Sequence, residues 1–252
     1  MRYFLELAYN GKAYHGWQIQ PNAISVQEVI EKTLSTLLNE TISIVGAGRT
    51  DAGVHAKHMF AHFETEAEFE VKDFIYKLNS FLPKDITIVD VFKVKPDAHA
   101  RFHAISRAYL YRISLSKDVF NYDGSFYLKQ DLDIGKMIEA SKILLDYKNF
   151  QCFSKSNTDV NTYNCNIMRT ELQLVNNELH FTIKADRFLR NMVRAIVGTL
   201  INVGLGKIEA EDLHTIIKSK NRSEAGFSVP AHGLYLTEVI YPDSIKLIHT
   251  ER

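Results

Sequence analysis

The order in which the apolar period changes along the chain limits its fold more than any other feature. Tyr3, Leu5 and Leu7 alternate with Phe4, Glu6 and Ala8, the two-residue period of a strand with one face more buried than the other. Ser25-Val26-Gln27-Glu28 has the form of a capping box, in which the serine oxygen takes an orphan N–H and the glutamate reaches back. Behind it Val26, Val29, Ile30, Leu34, Leu37 and Leu38 fall at helical spacing and leave Glu31 and Lys32 to water. Ile42-Ser43-Ile44-Val45 reads as a strand ended by Gly46 and Gly48, and His58 to Thr65 alternates as another. A helix is expected from about Val71 to Phe81, with Phe74, Ile75 and Leu78 inward and Pro83 closing it. The aromatics Phe69, Phe74, Tyr76 and Phe81 read as helix core, and Ile86 to Val94 as a fourth strand.

The order β-α-β-β-α-β is the split βαβ arrangement of a ferredoxin-like domain. Residues 105–241 repeat it with insertions. A strand runs from Ile105 to Leu115, a helix from about Ile134 to Leu145, and a hairpin from Ile167 to Lys184 turns near Asn176-Asn177. A long helix is expected over about Arg187 to Val203, a shorter one over Ala210 to Lys218, and a last strand over Leu234 to Tyr241. The expected fold is therefore α+β: two ferredoxin-like halves, residues 1–100 and 101–252, with antiparallel sheets joined around a central cleft. A length of 252 residues suits two such domains. No Gly/Ser-rich or Pro-rich linker separates them, which favours rigid docking over mobile modules.

Lys plus Arg and Asp plus Glu number 30 each. A protein that coats nucleic acid without specificity is normally basic, so any site for a polyanion must come from local clustering. Two clusters suggest one. Ala98–Lys117 holds Arg101, Arg107, Arg112 and Lys117 with no acid, and Arg187, Arg190 and Arg194 would form one stripe on the expected long helix, with Phe188, Val193, Ile196 and Leu200 on its core face. Glu64, Glu66, Glu68 and Glu70 form an acidic run expected to face away from such a partner. Cys152 and Cys165 read as two buried or idle thiols. Glu6 interrupts any signal-peptide core, and no stretch reaches the ~18 apolar residues of a membrane span, so a soluble, cytoplasmic protein is expected. His55, His58 and His62 are close in sequence, but without an HExxH motif or a third ligand in view they read as turn or sheet-surface histidines.

The most unusual stretch is Gly46-Ala47-Gly48-Arg49-Thr50-Asp51-Ala52-Gly53-Val54-His55. A dinucleotide fingerprint would need glycine where Asp51 stands, and a P-loop would need Gly-Lys-Ser/Thr. Two readings of Asp51 remain on residues alone: a carboxylate presented to a ligand that small neighbours let approach, or a turn residue capping its own backbone.

The run Gly48-Arg49-Thr50-Asp51-Ala52-Gly53-Val54-His55-Ala56 resembles the catalytic loop of the TruA-type tRNA pseudouridine synthases. The resemblance continues in family order through Gly16-Trp17-Gln18-Ile19-Gln20, Ala100-Arg101-Phe102, Arg107-Ala108-Tyr109-Leu110-Tyr111, Phe188-Leu189-Arg190-Asn191-Met192-Val193-Arg194 and Pro230-Ala231-His232-Gly233-Leu234-Tyr235-Leu236. It implies an isomerase that converts uridine to pseudouridine at positions 38, 39 and 40 of the tRNA anticodon stem-loop, as a homodimer without cofactor or metal. It further implies that Asp51 starts breakage of the glycosidic bond, that Tyr109 stacks on the target base and that Arg194 pairs with the aspartate. Arg49 would help displace the nucleotide, and Arg190 and Leu234 would contact substrate. Ile19, where the family often has arginine, and Ala108 and Leu110, where neighbours of the tyrosine are often more basic, reduce positive charge along the RNA path.

On residues alone, an arginine beside Asp51 would keep it ionised, and Tyr109 could offset part of the cost of extruding a base. Arg107, Tyr109 and Tyr111 would share one face of their strand, with Ala108 and Leu110 toward the core and Tyr111 packed or hydrogen-bonded within the fold. Two other classes stand beside this reading: a non-catalytic RNA-binding protein with paired ferredoxin-like domains, and a metal-dependent nucleotide hydrolase using the histidines.

Overall fold

A computed structural model of the chain describes residues 1–156 and 160–247. In chain order these form β1 (Arg2–Tyr9), α1 (Val26–Leu38), β2 (Val45–Gly46), β3 (His55–Glu64), α2 (Val71–Phe81), β4 (Ile86–Lys93), β5 (Ser106–Ser114) and β6 (Phe126–Tyr127). There follow α3 (Ile134–Ile143), β7 (Ile167–Val175), β8 (Glu178–Ala185), α4 (Met192–Gly204), α5 (Asp212–Ser219) and β9 (Leu234–Ile240). The chain is α+β and divides into two units, one of residues 1–105 with the chain from Leu236 onward, the other of Ser106–Tyr235.

In the first unit β1 runs antiparallel to β3, with Leu5 opposite Ala61, and to β4, with Leu5 opposite Val91. Phe4, Leu5, Leu7, Met59 and Phe63 from the sheet and Ile30 and Leu34 from α1 are fully buried. Ser25 caps α1 by accepting the Glu28 N–H at 3.2 Å, and α2 has the expected bounds. Tyr76 and Phe81 depart from the reading as helix core: they are 75% and 60% exposed, while Phe69 stacks on Phe74 at 4.1 Å.

The second strand is also shorter than Ile42–Val45. Ile42 and Ile44 are buried, but their N–H groups go to Ser35 Oγ at 2.9 Å and Glu31 Oε1 at 2.8 Å instead of a ladder. Backbone donors need partners when buried, and side chains of α1 supply them. Glu31, expected in water, is thus half-buried and tied to the chain that follows its helix. In the acidic run, Glu64 pairs with Arg2, Glu66 with the terminal amine at 2.9 Å, and Glu70 caps α2.

A division at residue 100 is what the repeat in sequence suggests. The units instead part after Ile105, and β9 lies beside β3. Ile105 N–H donates to Ile240 O at 2.7 Å, and the Tyr241 ring meets Phe4 and Phe60 edge-on at 5.3 and 5.2 Å. Periodicity identifies the last strand but carries no information about which sheet it joins.

His62 on β3 is buried, accepts the Ala100 N–H on Nδ1 at 3.1 Å and meets His99 edge-on at 4.7 Å. Burial, then the nearby His99 and Arg2, push its pKa down to about 4, against a smaller opposing effect of Glu64. An unfolded histidine titrates near 6.5. Between those values the unfolded chain binds more protons, so stability is fully present above about pH 6.5 and falls as pH drops toward 4, by roughly 3 kcal/mol for this group. Urea unfolding of His62→Asn, which keeps an acceptor for Ala100, is expected to flatten that pH dependence; an unchanged slope would assign it elsewhere.

In the second unit β5, β8 and β7 form an antiparallel sheet, with Tyr109 opposite Ile183 and Tyr111 opposite Phe181. The β7–β8 hairpin turns on Asn176 and Asn177 at φ 48° and 62°, the left-handed pair of a type I′ turn. The short β6 pairs in parallel with β5. Cys152 and Cys165 are buried, which pushes both thiols up to about 12.

The long helix begins at Met192, not Arg187. Asp186 Oδ1 accepts the N–H groups of Asn166 and Arg187, both at 2.7 Å, and Asn191 is left-handed at φ 68°. A local carboxylate–backbone bond and an αL residue each oppose helix, and asparagine is among the few residues that tolerate that conformation. Arg187 and Arg190 are therefore off the helix and form no stripe with Arg194, and Phe188 leaves the helix core.

Candidate active site

Asp51 sits at the first position of a tight turn. Val54 N–H donates to the Asp51 carbonyl at 3.2 Å, and Gly53, at φ 79°, takes the third position, the geometry of a type II turn. The main-chain carbonyl closes the turn.

Three contacts hold the turn from outside. Gly53 N–H donates to Tyr14 O at 3.2 Å, and the Tyr14 hydroxyl donates to Asp85 at 2.6 Å. Burial and then that carboxylate raise the Tyr14 pKa, keeping it a neutral donor. The Thr50 hydroxyl bonds Tyr9 at 2.9 Å, and Trp17 N–H reaches Thr50 O at 3.4 Å. Gly16, before Trp17, has φ 91°, and a Cβ there would lie 2.3 Å from Thr50 O. Asp51 is left half-buried and Arg49 exposed.

In the second unit, Tyr109 is half-buried on β5 and meets Phe188 edge-on at 5.0 Å and 88°. Arg194 lies in the first turn of α4, where its Nε donates to Val229 O at 2.7 Å, and Val229 N–H returns a bond to Arg194 O at 3.2 Å. The Tyr111 hydroxyl donates to the next carbonyl, Pro230 O, at 2.8 Å. Consecutive carbonyls thus fasten the guanidinium and the phenol. Burial raises the Tyr111 pKa strongly, with the Arg194 charge opposing it, so Tyr111 stays neutral.

Tyr111 is fully buried and Leu110 only half-buried, so β5 does not divide into the two faces expected. Leu234 is buried where β9 begins; Arg190 is exposed, its carbonyl accepting the Lys155 N–H at 3.0 Å. Two cations of the basic segment are engaged internally: Arg112 pairs with Glu178 at 2.8 Å, and Arg107 donates to Asp186 O at 2.8 Å. His55, His58 and His62 go separately to Gly11 N–H, the Glu6 carboxylate and Ala100 N–H, each at 3.1 Å. Among the described residues no three His, Cys, Asp or Glu gather as a metal site.

Tyr9, Tyr14 and Asp85 carry no sequence signal of a site, and Phe188 does only as the first residue of a motif block. Gly16-Trp17 does, as a block of the motif series, and its place under the Asp51 turn explains why it belongs there.

A family model described as tRNA pseudouridine synthase matches residues 7–103 and 140–242. The chain belongs to the tRNA pseudouridine synthase family. The match includes Arg49, Asp51, Arg190, Arg194 and Leu234, while Tyr109 lies between the two matched segments. Among individual members of this pseudouridine synthase family, the tRNA pseudouridine synthase A of Bacteroides fragilis is 51% identical over 246 residues, 97% of this chain and 98% of its own length. That of Parabacteroides distasonis is 49% identical over 247 residues, 97% of each chain. A Thermoanaerobacter tRNA pseudouridine synthase A is 40% identical over 242 residues, 92% of this chain and 96% of its own. No helix among the described residues is long and apolar enough to cross a membrane.

Proposed function

We propose that this chain isomerises uridine to pseudouridine at positions 38, 39 and 40 of the tRNA anticodon stem-loop, and that Asp51 carries the chemistry. The observation that bears the proposal is the family match over both units, with Asp51 on a turn clamped from three sides. Base and sugar part at C1′–N1, the uracil turns, C1′–C5 forms, the C5 proton leaves and N1, freed from the sugar, takes up a proton. Product and substrate have the same composition, so the reaction consumes no oxidant, reductant or co-substrate. The Asp51 carboxylate, acting on sugar, base or sugar proton, starts the cleavage. By family resemblance Arg194 and Tyr109 receive the target nucleotide, Tyr109 stacking on the extruded base, and Arg49 helps displace it. Arg190, exposed beside the start of α4, is suited to a phosphate, and the buried Leu234 to an apolar wall. Family resemblance supports a homodimer in which one tRNA touches both subunits, and the substrate supports a cytoplasmic location.

Tritium release from tRNA labelled at uridine C5 tests the reaction. Tight tRNA binding with no release would favour the non-catalytic RNA-binding reading instead. Tyr109→Ala is expected to lower kcat/KM about 10- to 100-fold, the loss of one base–aromatic stack of roughly 1–3 kcal/mol. Tyr109→Phe keeps the ring and is expected to retain most activity. Equal losses in both variants would remove stacking as the role.

A further inference from the structure

The segment that fastens Arg194 and Tyr111 continues into the wall of a cavity within the second unit. Pro230 and His232 line it together with the chain between β5 and β6, and its volume is about 640 Å³, within the range of small-molecule sites. Nothing in the chemistry above uses it. Tyr122, Phe126, Tyr127 and His232 contribute flat rings, Lys117 a cation and Asp118 a carboxylate that accepts the Phe120 N–H at 2.8 Å.

The aromatic wall is held in place while its rings stay wet. Tyr122 and Tyr127 are 66% and 44% exposed. Yet the Glu178 carboxylate accepts two bonds from Arg112, at 2.9 and 3.1 Å, and one from Asn121 at 2.7 Å, and it pairs with His180 at 2.9 Å. Burial disfavours the Glu178 charge, but its bonds to His180 and Arg112 outweigh that and hold it below the usual carboxylate range. The Tyr235 hydroxyl adds a bond to Gly124 O at 2.8 Å. A polar network therefore fixes the root of a loop that presents aromatic rings to solvent.

We propose that this cavity receives an unstacked base of the substrate RNA, from a nucleotide neighbouring the target uridine. Aromatic rings stack on any base, and a cation beside them suits its phosphate. His232 lies three residues from Val229, so at most about 11 Å of backbone separates it from the carbonyl that fastens Arg194. Adjacent nucleotides of one strand cover that distance. The inference rests on the reading that Tyr109 and Arg194 receive the target.

The test pairs protein and RNA changes on an anticodon stem-loop, with an abasic site placed at each nucleotide flanking the target. Tyr122→Ala is expected to raise KM about tenfold, the lower part of the range for one lost stack. An abasic site at one flanking position should raise KM of the wild type by a similar factor, and combining the two should add less than twofold. Lys117→Ala should lower the salt dependence of binding by about one phosphate contact. Effects of Tyr122→Ala that multiply with every abasic site would overturn the proposal, as would an unchanged KM. An unchanged KM with a shifted mass in light scattering would assign the face to a second copy of the chain. Failure of the wild type on the intact stem-loop is a different result: it would overturn the reaction itself, and this site with it.

Discussion

Asp51→Asn is expected to release tritium from C5-labelled tRNA at least about 10³-fold more slowly than the wild type, with tRNA affinity within a few-fold. Asparagine keeps the size of the side chain and one carbonyl oxygen but has no charge and cannot act as nucleophile or base. The turn itself should survive, because Val54 bonds the main-chain carbonyl of Asp51. A loss can then be read as lost chemistry and not as a displaced loop, and unchanged circular dichroism would support that separation. Retention of a tenth or more of the wild-type rate would move the chemistry to another residue. Loss of tRNA binding in step with activity would leave Asp51 as a binding group only.

Gly16→Ala should also cost activity, by a different route. The residue has φ 91°, and its new Cβ would fall 2.3 Å from Thr50 O, a backbone atom that cannot swing aside. An L-residue at positive φ costs about 1–2 kcal/mol. With the overlap added, a stability loss of about 2–4 kcal/mol is expected in urea unfolding. The strain is relieved by moving Thr50, the neighbour of Asp51, and a displacement near 1 Å at a reacting group is worth about 10²-fold in rate. That loss should fall on kcat more than on KM. Gly48, on the same loop, has nothing within 4 Å of where a Cβ would go, so Gly48→Ala should change stability by less than about 0.5 kcal/mol. Full activity in Gly16→Ala would show that the turn tolerates movement and that its clamps serve folding alone.

Elements that rest on local chemistry are legible in the sequence. Ser25 caps its helix, the chain leaves α2 just before Pro83, and the Asn176–Asn177 pair turns its hairpin, because each depends on residues a few positions apart. The start of α4 was not legible. Arg187, Phe188 and Arg190 have helical spacing, and only the bonds to Asp186 and the left-handed Asn191 show that the chain is not yet helical there. The second strand failed likewise, since partners on α1 take the N–H groups that a ladder would use.

The site divides in the same way. Asp51 stands out in sequence because glycines and small residues surround it. Its supports do not: Tyr14 and Asp85 are 71 positions apart, and Phe188 reads as core until its contact with Tyr109 is seen. Charge was the least legible quantity. Arg112 counts as an available cation in sequence, yet Glu178, two residues along β8 from the His180 that the register sets opposite Arg112, takes its charge.

The return of β9 to the first unit bears on when a newly made chain can become competent. A ribosome delivers the polypeptide from its amino end, so the Asp51 motif emerges early, while the strand beside β3 follows only with Leu236 and later residues. Until then Phe4 and Phe60 lack the ring of Tyr241, and Ile105 lacks its carbonyl partner at Ile240. A nascent chain therefore carries the Asp51 motif long before β9 takes its place beside β3, and translation past Leu236 has to precede the finished enzyme.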